Sequence, residues 1–263
     1  MKSAFYAGAT GLMAHQEALN TIGHNLANVN TTGYKAQGTS FDELLYNRMY
    51  VNTENEANNG FGVRAVSTGI LPGQAEFIQT GNPLSFAVSG DAFFAVETGS
   101  GQTMYTRDGS FALSVEGDRP YLTTADGCYV LGRDGQRVQL EEKKPLEFPK
   151  GEGGNNNTDN KNQGLGMDYE ALAGKIGLYR FANPGALQPM STNRYAATPA
   201  AGEAKLEEEN GGSKVLSGYL EQSGVSITDE MANMIAAQRS YQLSARVVQV
   251  ADEVEQVVNG LRR

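Results

Sequence analysis

The sequence predicts an α+β protein, with a discontinuous, coiled-coil-like helical stem from the two chain ends and a central antiparallel β-rich domain. Apolar residues recur with a three-four spacing near both termini, which is typical of helices that pack on other helices. Between them, short β-prone segments alternate with glycine-containing turns. We predict terminal assembly helices over 1–32 and 225–263, a linker or extended segment over 33–78 and the β domain over 79–224.

The N-terminal segment has a seam of apolar residues along one helical face. Six of its eight positions are apolar, and the exceptions Gly8 and His15 argue against an isolated two-stranded coiled coil. Asparagines then accumulate before Gly33, which predicts a helix end between Asn28 and Thr32. The seam consists of Phe5, Gly8, Leu12, His15, Leu19, Ile22, Leu26 and Val29.

The C-terminal segment carries two apolar stripes. Ser226, with Asp229 three residues later, resembles a capping box and predicts a helix start. The stripes are offset by two residues, or about 200° on an α-helix, so the segment is apolar on nearly opposite sides. One stripe is Ile227, Met231, Met234, Gln238, Tyr241, Ala245 and Val248, and the other is Leu243, Val247, Val250, Val254, Val257 and Leu261.

Two interpretations of these terminal helices are open. The ordinary one is that they pack on each other or on the central domain. However, one intramolecular partner cannot cover a helix that is apolar on both sides, so the surplus apolar surface predicts contacts with other subunits. The predicted assembly-interface residues are Leu12, Leu19, Ile22, Leu26, Asn28, Met234, Tyr241, Val248, Val250 and Val254.

The middle of the chain has the pattern of an antiparallel meander or Greek-key sandwich. Turn signals such as Asp108-Gly109 and Asp126-Gly127 separate short segments that are rich in β-formers. Further extended segments are predicted at Lys175–Phe181 and Val215–Leu220. The predicted strands before them are Leu84–Val88, Ala92–Glu97, Met104–Arg107, Ser110–Val115, Tyr121–Thr123 and Cys128–Leu131.

Two polar segments predict disorder. Asn52–Gly60 has no apolar periodicity, and residues 150–163 contain no apolar side chain at all. We therefore expect the second segment to be an exposed loop or insertion within the β domain.

Composition excludes several classes of protein. With 21 basic and 30 acidic residues, the net charge of −9 argues against a nucleic-acid binder and against docking on an anionic membrane. The single cysteine, Cys128, permits no intrachain disulfide and is expected to be a buried apolar residue. No cleavable signal peptide and no membrane-spanning segment are predicted.

The sequence contains no recognisable catalytic, cofactor-binding or metal-binding set of residues. A G-x-G-x-x-A pattern over residues 60–65 lacks the βαβ context of a dinucleotide site. His15 and His24 lie on opposite sides of the predicted helix and cannot share a metal. Calcium ligation by aspartates is the weaker alternative to hairpin turns at each Asp-Gly pair. The aspartates concerned are Asp108, Asp126 and Asp134.

Several long segments resemble one family in order along the chain. LANVNTTGYK at Leu26–Lys35 resembles the signature of flagellar basal-body rod and hook proteins, the axial protein family. The segments at Thr80–Val96, Tyr105–Phe111 and Leu122–Gly132 resemble the start of that family's β domain. Gly218–Glu253 resembles its C-terminal region, so the resemblance covers nearly the whole chain.

The resemblance implies a structural subunit and no enzyme. Its terminal helices would order on assembly into a helical homopolymer that forms the drive shaft and the wall of the export channel. The implied partners are further copies of the chain, other rod and hook proteins and the flagellar type III export apparatus. The implied location is the basal body, outside the cytoplasmic membrane after export, and the implied process is motility. The alternative is a secreted β-rich adhesin or carbohydrate-binding module with helical tails.

Overall fold

The chain forms two compact units, each described here by itself. Unit 1 comprises Met1–Gly73 and Ser223–Arg263, and unit 2 comprises Gln74–Gln222. The loop predicted at 150–163 lies outside the described residues. The computed structural model describes residues 2–49, 57–116, 119–140, 169–207 and 212–261.

The helices of unit 1 come from opposite ends of the chain and pack against each other. The N-terminal helix ends at Ala27, one residue before the predicted range of Asn28 to Thr32. The turn that follows it includes Gly33, which has a φ of +64°. The predicted start of the C-terminal helix is confirmed, because the Asp229 amide donates to Ser226 Oγ over 3.4 Å. The described helices are α1 (Lys2–Ala27), α2 (Tyr169–Lys175) and α3 (Ile227–Leu261), of which α2 belongs to unit 2.

Small residues set the close approach of α1 to α3. Gly8 and Gly11 are buried, and Ala14 and Ala18 continue the buried face toward the end of α1. A Cβ atom on Gly8 would lie 2.9 Å from Cγ2 of Val248, a distance that real Cβ contacts do not show. The buried face of α1 is therefore its small-residue face, because a larger side chain there would push the helices apart.

The segment after α1 forms two antiparallel pairs. β1 pairs with β4 with a register shift between Gly38 and Thr39, and β2 pairs with β3. The prediction of disorder over Asn52–Gly60 is wrong for Ala57–Gly60, since backbone pairing across a hairpin requires no apolar side chain. The strands are β1 (Gln37–Glu43), β2 (Tyr46–Met49), β3 (Ala57–Gly60) and β4 (Val63–Ile70).

Unit 2 is built on an antiparallel sheet that has nine strands within the described residues. The order runs β13-β14-β8-β7-β11-β10-β9, with β12 and β15 joined through β7. The strands are β5 (Phe77–Gln79), β6 (Phe86–Ser89), β7 (Phe93–Glu97), β8 (Thr103–Thr106), β9 (Phe111–Glu116), β10 (Arg119–Thr124), β11 (Tyr129–Val130), β12 (Leu178–Arg180), β13 (Gln188–Pro189), β14 (Arg194–Ala196), β15 (Lys205–Leu206), β16 (Lys214–Ser217) and β17 (Tyr219–Glu221).

The predicted strands of unit 2 are confirmed from Leu84 to Leu131, because every predicted segment there overlaps an observed one. The single segment predicted at Val215–Leu220 is instead two strands. Gly218, with φ of +81°, separates β16 from β17, and these pair with β6 and β5 respectively. The turn at Asp126-Gly127 joins β10 to β11 as predicted.

The core of unit 2 consists of side chains that are fully removed from solvent. Phe94 packs its ring against Phe111 at a centroid distance of 5.2 Å, and α2 contributes Leu172. Gly109 is required beside this core, since a Cβ atom there would lie 1.7 Å from the carbonyl oxygen of Phe86. The described part of the unit therefore has a hydrophobic core of its own. No helix of the described ranges has the length and apolar character needed to cross a membrane.

Candidate assembly surface

Helix α3 exposes a continuous apolar stripe. None of its 35 residues is buried, although it packs along α1. The exposed fraction is 51% for Val250 and 82% for Leu261. Large apolar side chains that are left in water in this way mark a surface that another molecule covers. The stripe, called the α3 stripe below, consists of Leu243, Val247, Val250, Val254, Val257 and Leu261.

A groove runs along part of the α3 stripe. Its volume is about 470 Å³, and Ala4 of α1 forms one of its walls. Apart from Arg246, its lining side chains are apolar. The small Ala4 leaves room beside α3 that a larger residue would fill, so the groove has the shape to receive an apolar side chain from outside.

The structure divides the ten predicted assembly residues into two groups. Val250 and Val254 are exposed on the α3 stripe. The other eight are half-buried, and among them Val248 contacts the Gly8 position of α1. Asn28 donates to the His24 carbonyl and accepts from Thr31, so its side chain completes the turn after α1. The half-buried group is Leu12, Leu19, Ile22, Leu26, Asn28, Met234, Tyr241 and Val248.

A buried amide network holds α1, β1 and α3 together. Asn25 is 1% exposed, and its Nδ2 donates to the Gln37 carbonyl at 2.9 Å and to Glu230 Oε1 at 2.8 Å. Its Oδ1 accepts from the Gln37 amide at 2.9 Å and from the Tyr34 hydroxyl at 3.1 Å. Both donors and both acceptor positions of this side chain are therefore used.

Tyr34 and Glu230 become electrostatically linked within this network. Burial raises the pKa of Tyr34 to about 12, and the neighbouring Glu230 carboxylate contributes to that rise. The Tyr34 hydroxyl therefore stays protonated, and it remains a hydrogen-bond donor to Asn25 at neutral pH. The network fixes the position at which α3 begins to run along α1.

Sequence reasoning missed Asn25 and interpreted it as one of several turn-forming asparagines. Its helical position gave a signal, because Asn25 lies three residues after Ile22 and seven after the buried Ala18. An amide on a buried helix face requires partners from other elements. Those partners are 12 and 205 residues away in the sequence, and no local pattern identifies them.

A second missed feature is a buried ion pair in unit 2. Arg107 Nη1 lies 3.2 Å from Glu221 Oε2, and the two side chains are 2% and 0% exposed. Arg107 also donates to the carbonyl of Gly90 at 2.6 Å, and its guanidinium lies over the ring of Phe93. Glu221 Oε1 accepts from the Ala75 amide at 3.1 Å. The pair therefore joins β8 to the strands at which the chain enters and leaves unit 2.

The histidine, cysteine and aspartate residues that were considered as possible ligands or nucleophiles make packing and turn contacts. His15 lies against Phe41 with ring centroids 5.3 Å apart, and Cys128 is buried as predicted, with Arg194 beside its thiol. Asp108 Oδ1 accepts hydrogen bonds from the Ser110 amide and hydroxyl. These bonds are typical of a turn, which was the favoured alternative to calcium ligation. Within the described ranges, no three His, Cys, Asp or Glu side chains come close enough to hold a metal ion.

The fold and this surface define a class of protein: a structural subunit with a self-contained β unit and a helical unit that offers apolar surface to neighbours. Family models match the chain in three places. These are "Flagella basal body rod protein" over residues 5–35, "Flagellar hook protein FlgE/F/G D1 domain" over 87–156 and "Flagellar basal body rod FlgEFG protein C-terminal" over 216–261.

Curated relatives match over their full length. The chain is 31% identical to the flagellar basal-body rod protein FlgG of Agrobacterium fabrum, over 95% of this chain and 96% of the relative. It is 31% identical to FlgG of Bacillus subtilis over 100% of both chains. The flagellar basal-body rod protein FlgF of Mesorhizobium japonicum is 29% identical over 99% of this chain and 98% of the relative. The chain belongs to the flagellar basal-body rod protein family and is a structural protein of the flagellar rod.

Proposed function

We propose that the chain polymerises helically through α1 and α3 to form the rod, which serves as drive shaft and as wall of the export channel. The observation that carries the proposal is the α3 stripe, in which six apolar side chains stay exposed after α1 has packed on α3. Unit 2 then belongs to the outer part of the polymer, because it has closed its own core and needs no neighbour to fold.

The magnitude of the exposed surface favours a polymer over a simple pair. Completing the burial of six half-exposed Val and Leu side chains contributes about 6 kcal/mol, at roughly 1 kcal/mol each. Association costs about 4–15 kcal/mol in lost freedom before any contact is counted. Over most of that range one neighbour on this stripe gives no net stability, so contacts with several neighbours per subunit are favoured. A head-to-tail contact that does not close gives a filament.

Within the family, we propose the distal rod subtype, with the proximal rod protein as the second candidate. The length of the chain and its single β body support this choice, since hook proteins are longer and carry a further outer domain. Residues 1–32 with 225–263 act as the assembly domain, 33–78 as the linker and 79–224 as the β domain. The linker is where stiff rod and bendable hook differ.

We further propose that the subunit has no catalytic role and reaches the rod through the flagellar type III export apparatus. Its partners are then further copies of itself and the adjoining rod and hook proteins. Its location is the basal body outside the cytoplasmic membrane. The exposed α3 stripe supports this route, because a subunit whose assembly surface forms without a partner must be kept apart from its copies until it reaches the growing tip.

Substitution of Val250 by Asp tests the proposal. Val250→Asp places a charge in the α3 stripe and is expected to abolish both incorporation into basal bodies and motility, while the unfolding free energy changes by less than about 0.5 kcal/mol. The matched control is Val115→Asp, which alters an exposed valine of unit 2. Quantitative mass spectrometry of purified hook–basal bodies gives the number of copies. Normal incorporation of Val250→Asp, or absence of the unaltered chain from intact particles, would overturn the proposal.

A few dozen copies per particle, scaled to a basal-body component of known number, would support the distal subtype. A few copies would assign the chain to the proximal rod.

A further inference from the structure

The charged residues of α3 are grouped by sign along the helix. An acidic group at the start is followed by a basic group in the middle and a second acidic group near the end. The basic group and the second acidic group are centred about 11 residues apart, or ~16 Å along the axis. The groups are Asp229 with Glu230, Arg239 with Arg246, and Asp252 with Glu253 and Glu255.

The two arginines have no carboxylate partner in the described part of the chain. Neither Arg239 nor Arg246 has an acidic residue three or four positions away, where an ion pair along the helix would form. Both are exposed, and Arg246 lines the apolar groove beside the α3 stripe. Their charges are therefore available to another molecule at the surface that assembly would cover.

We propose that a second copy of the chain packs parallel to α3, displaced along the axis by about 11 residues, or ~16 Å. This inference rests on the proposed polymerisation and adds its axial register. At this displacement, the basic group of one copy lies level with the second acidic group of the other. The first acidic group of one copy lies within about two residues of the level of the basic group of the next, and its exposed carboxylate is Asp229, since Glu230 already accepts from Asn25. With no displacement, every charge would instead lie level with a like charge, which is repulsive.

The apolar surface accommodates the same displacement. Eleven residues are about three turns of an α-helix, so a shift of this size leaves each face pointing in nearly the same direction. Shifted in this way, the start of the α3 stripe lies level with Met231 and Ile235 of the neighbour, which are also exposed. Exposed apolar side chains of the two copies therefore lie at matching heights in the overlap, and the charges select the register.

The experiment uses two charge-reversed variants of the full chain. Arg239→Glu/Arg246→Glu makes α3 acidic throughout, and Asp252→Lys/Glu253→Lys/Glu255→Lys makes its end basic. We expect each variant alone to incorporate into basal bodies at least tenfold less than the unaltered chain. Co-expression is expected to raise incorporation at least fivefold above either variant alone, because the basic end of one variant lies level with the acidic middle of the other. Recovery is incomplete, because the acidic variant still lacks the charge that lies level with the first acidic group of its neighbour.

The control is Arg119→Glu/Arg180→Glu, which makes the same change in net charge at exposed positions of unit 2 and is expected to incorporate normally. Unfolding of each monomer by urea should be unchanged, which separates assembly from folding. Normal incorporation of the acidic variant alone would overturn the register, as would failure of co-expression to raise incorporation. If the acidic variant and Val250→Asp both incorporate normally, the register and the proposed function are both wrong. If the acidic variant incorporates normally but Val250→Asp does not, only the register is wrong.

Discussion

Units 1 and 2 use the same kinds of apolar residue in opposite ways. In unit 2, Phe94, Val96 and Leu122 are fully buried in a core that the unit closes by itself. In unit 1, α3 carries eight valines and leucines among its 35 residues, yet none of its residues is buried. Hydrophobic residues are therefore no measure of a core until the partner that covers them is known.

Both units also contain buried polar side chains that are hydrogen-bonded to partners within the same unit. The two units therefore differ mainly in how much of their apolar surface is buried. Asn25 in unit 1 uses both its donors and both its acceptor positions, and the Arg107–Glu221 pair in unit 2 is bonded through both Nη atoms and both carboxylate oxygens. Arg107 Nε is buried without a hydrogen-bond partner among the described residues. Unit 1 thus has specific polar contacts between its elements, although α3 leaves large apolar side chains exposed.

Matched truncations give the largest expected contrast between the units. Phe94→Ala should cost about 4 kcal/mol of unfolding free energy, because it removes a buried ring and leaves a cavity. Val254→Ala in the α3 stripe should cost less than about 0.5 kcal/mol in the free subunit. Urea-induced unfolding followed by circular dichroism measures both. Similar losses for the two variants would show that the free subunit buries the stripe, and the comparison would fail.

Ion pairs sharpen the comparison at a somewhat smaller scale. Arg107→Met should destabilise unit 2 by about 3 kcal/mol, since it leaves Glu221 buried without its counter-charge. The control is Arg64→Met, which breaks the exposed pair with Asp42 in unit 1 and should cost less than about 1 kcal/mol. The same urea titration applies. A cost for Arg107→Met below that of Arg64→Met would mean that the buried pair does not hold the strands of unit 2 together.

The amide network of unit 1 gives the smallest of the three effects. Asn25→Ala should cost about 2 kcal/mol, because it leaves the Gln37 amide and the Tyr34 hydroxyl without their acceptor. Asn20→Ala is the control on the same helix, where the exposed Asn20 accepts one bond from Gln16. Equal unfolding free energies for the two variants would show that Asn25 does not fix the helices of unit 1.

Much of the fold could be predicted from local patterns. The strands of unit 2 were found because apolar alternation and Asp-Gly turns act over a few residues, as at Phe111–Glu116. The two faces of α3 were found because helical periodicity is also local. Ala57–Gly60 was missed because its pairing uses the backbone, and NNG has no apolar signal to reveal a strand.

The exposure of apolar surface on α3 could be predicted from the sequence, for a physical reason. Val250 and Val254 were predicted to be assembly residues because two apolar faces cannot both meet one helix. Both are exposed, and their role in assembly stays a prediction. The sequence does not show which face α1 takes, because that choice depends on Gly8 and Gly11 accepting Val248 and Ser244 at close range. Nor does it show that Arg107 and Glu221, 114 residues apart, would meet.

The joining of α1 to α3 also determines the order in which the molecule can be made. Asn25 and Glu230 are 205 residues apart, and all of unit 2 is synthesised between them. Closing so long a loop in an unfolded chain is entropically unfavourable and slow. Once unit 2 has folded, β5 and β17 lie side by side and the loop is effectively short. Pairing of β5 with β17 therefore shortens the loop that α1 and α3 must close, and α1 has no helix partner until α3, which begins at Ile227, has been synthesised.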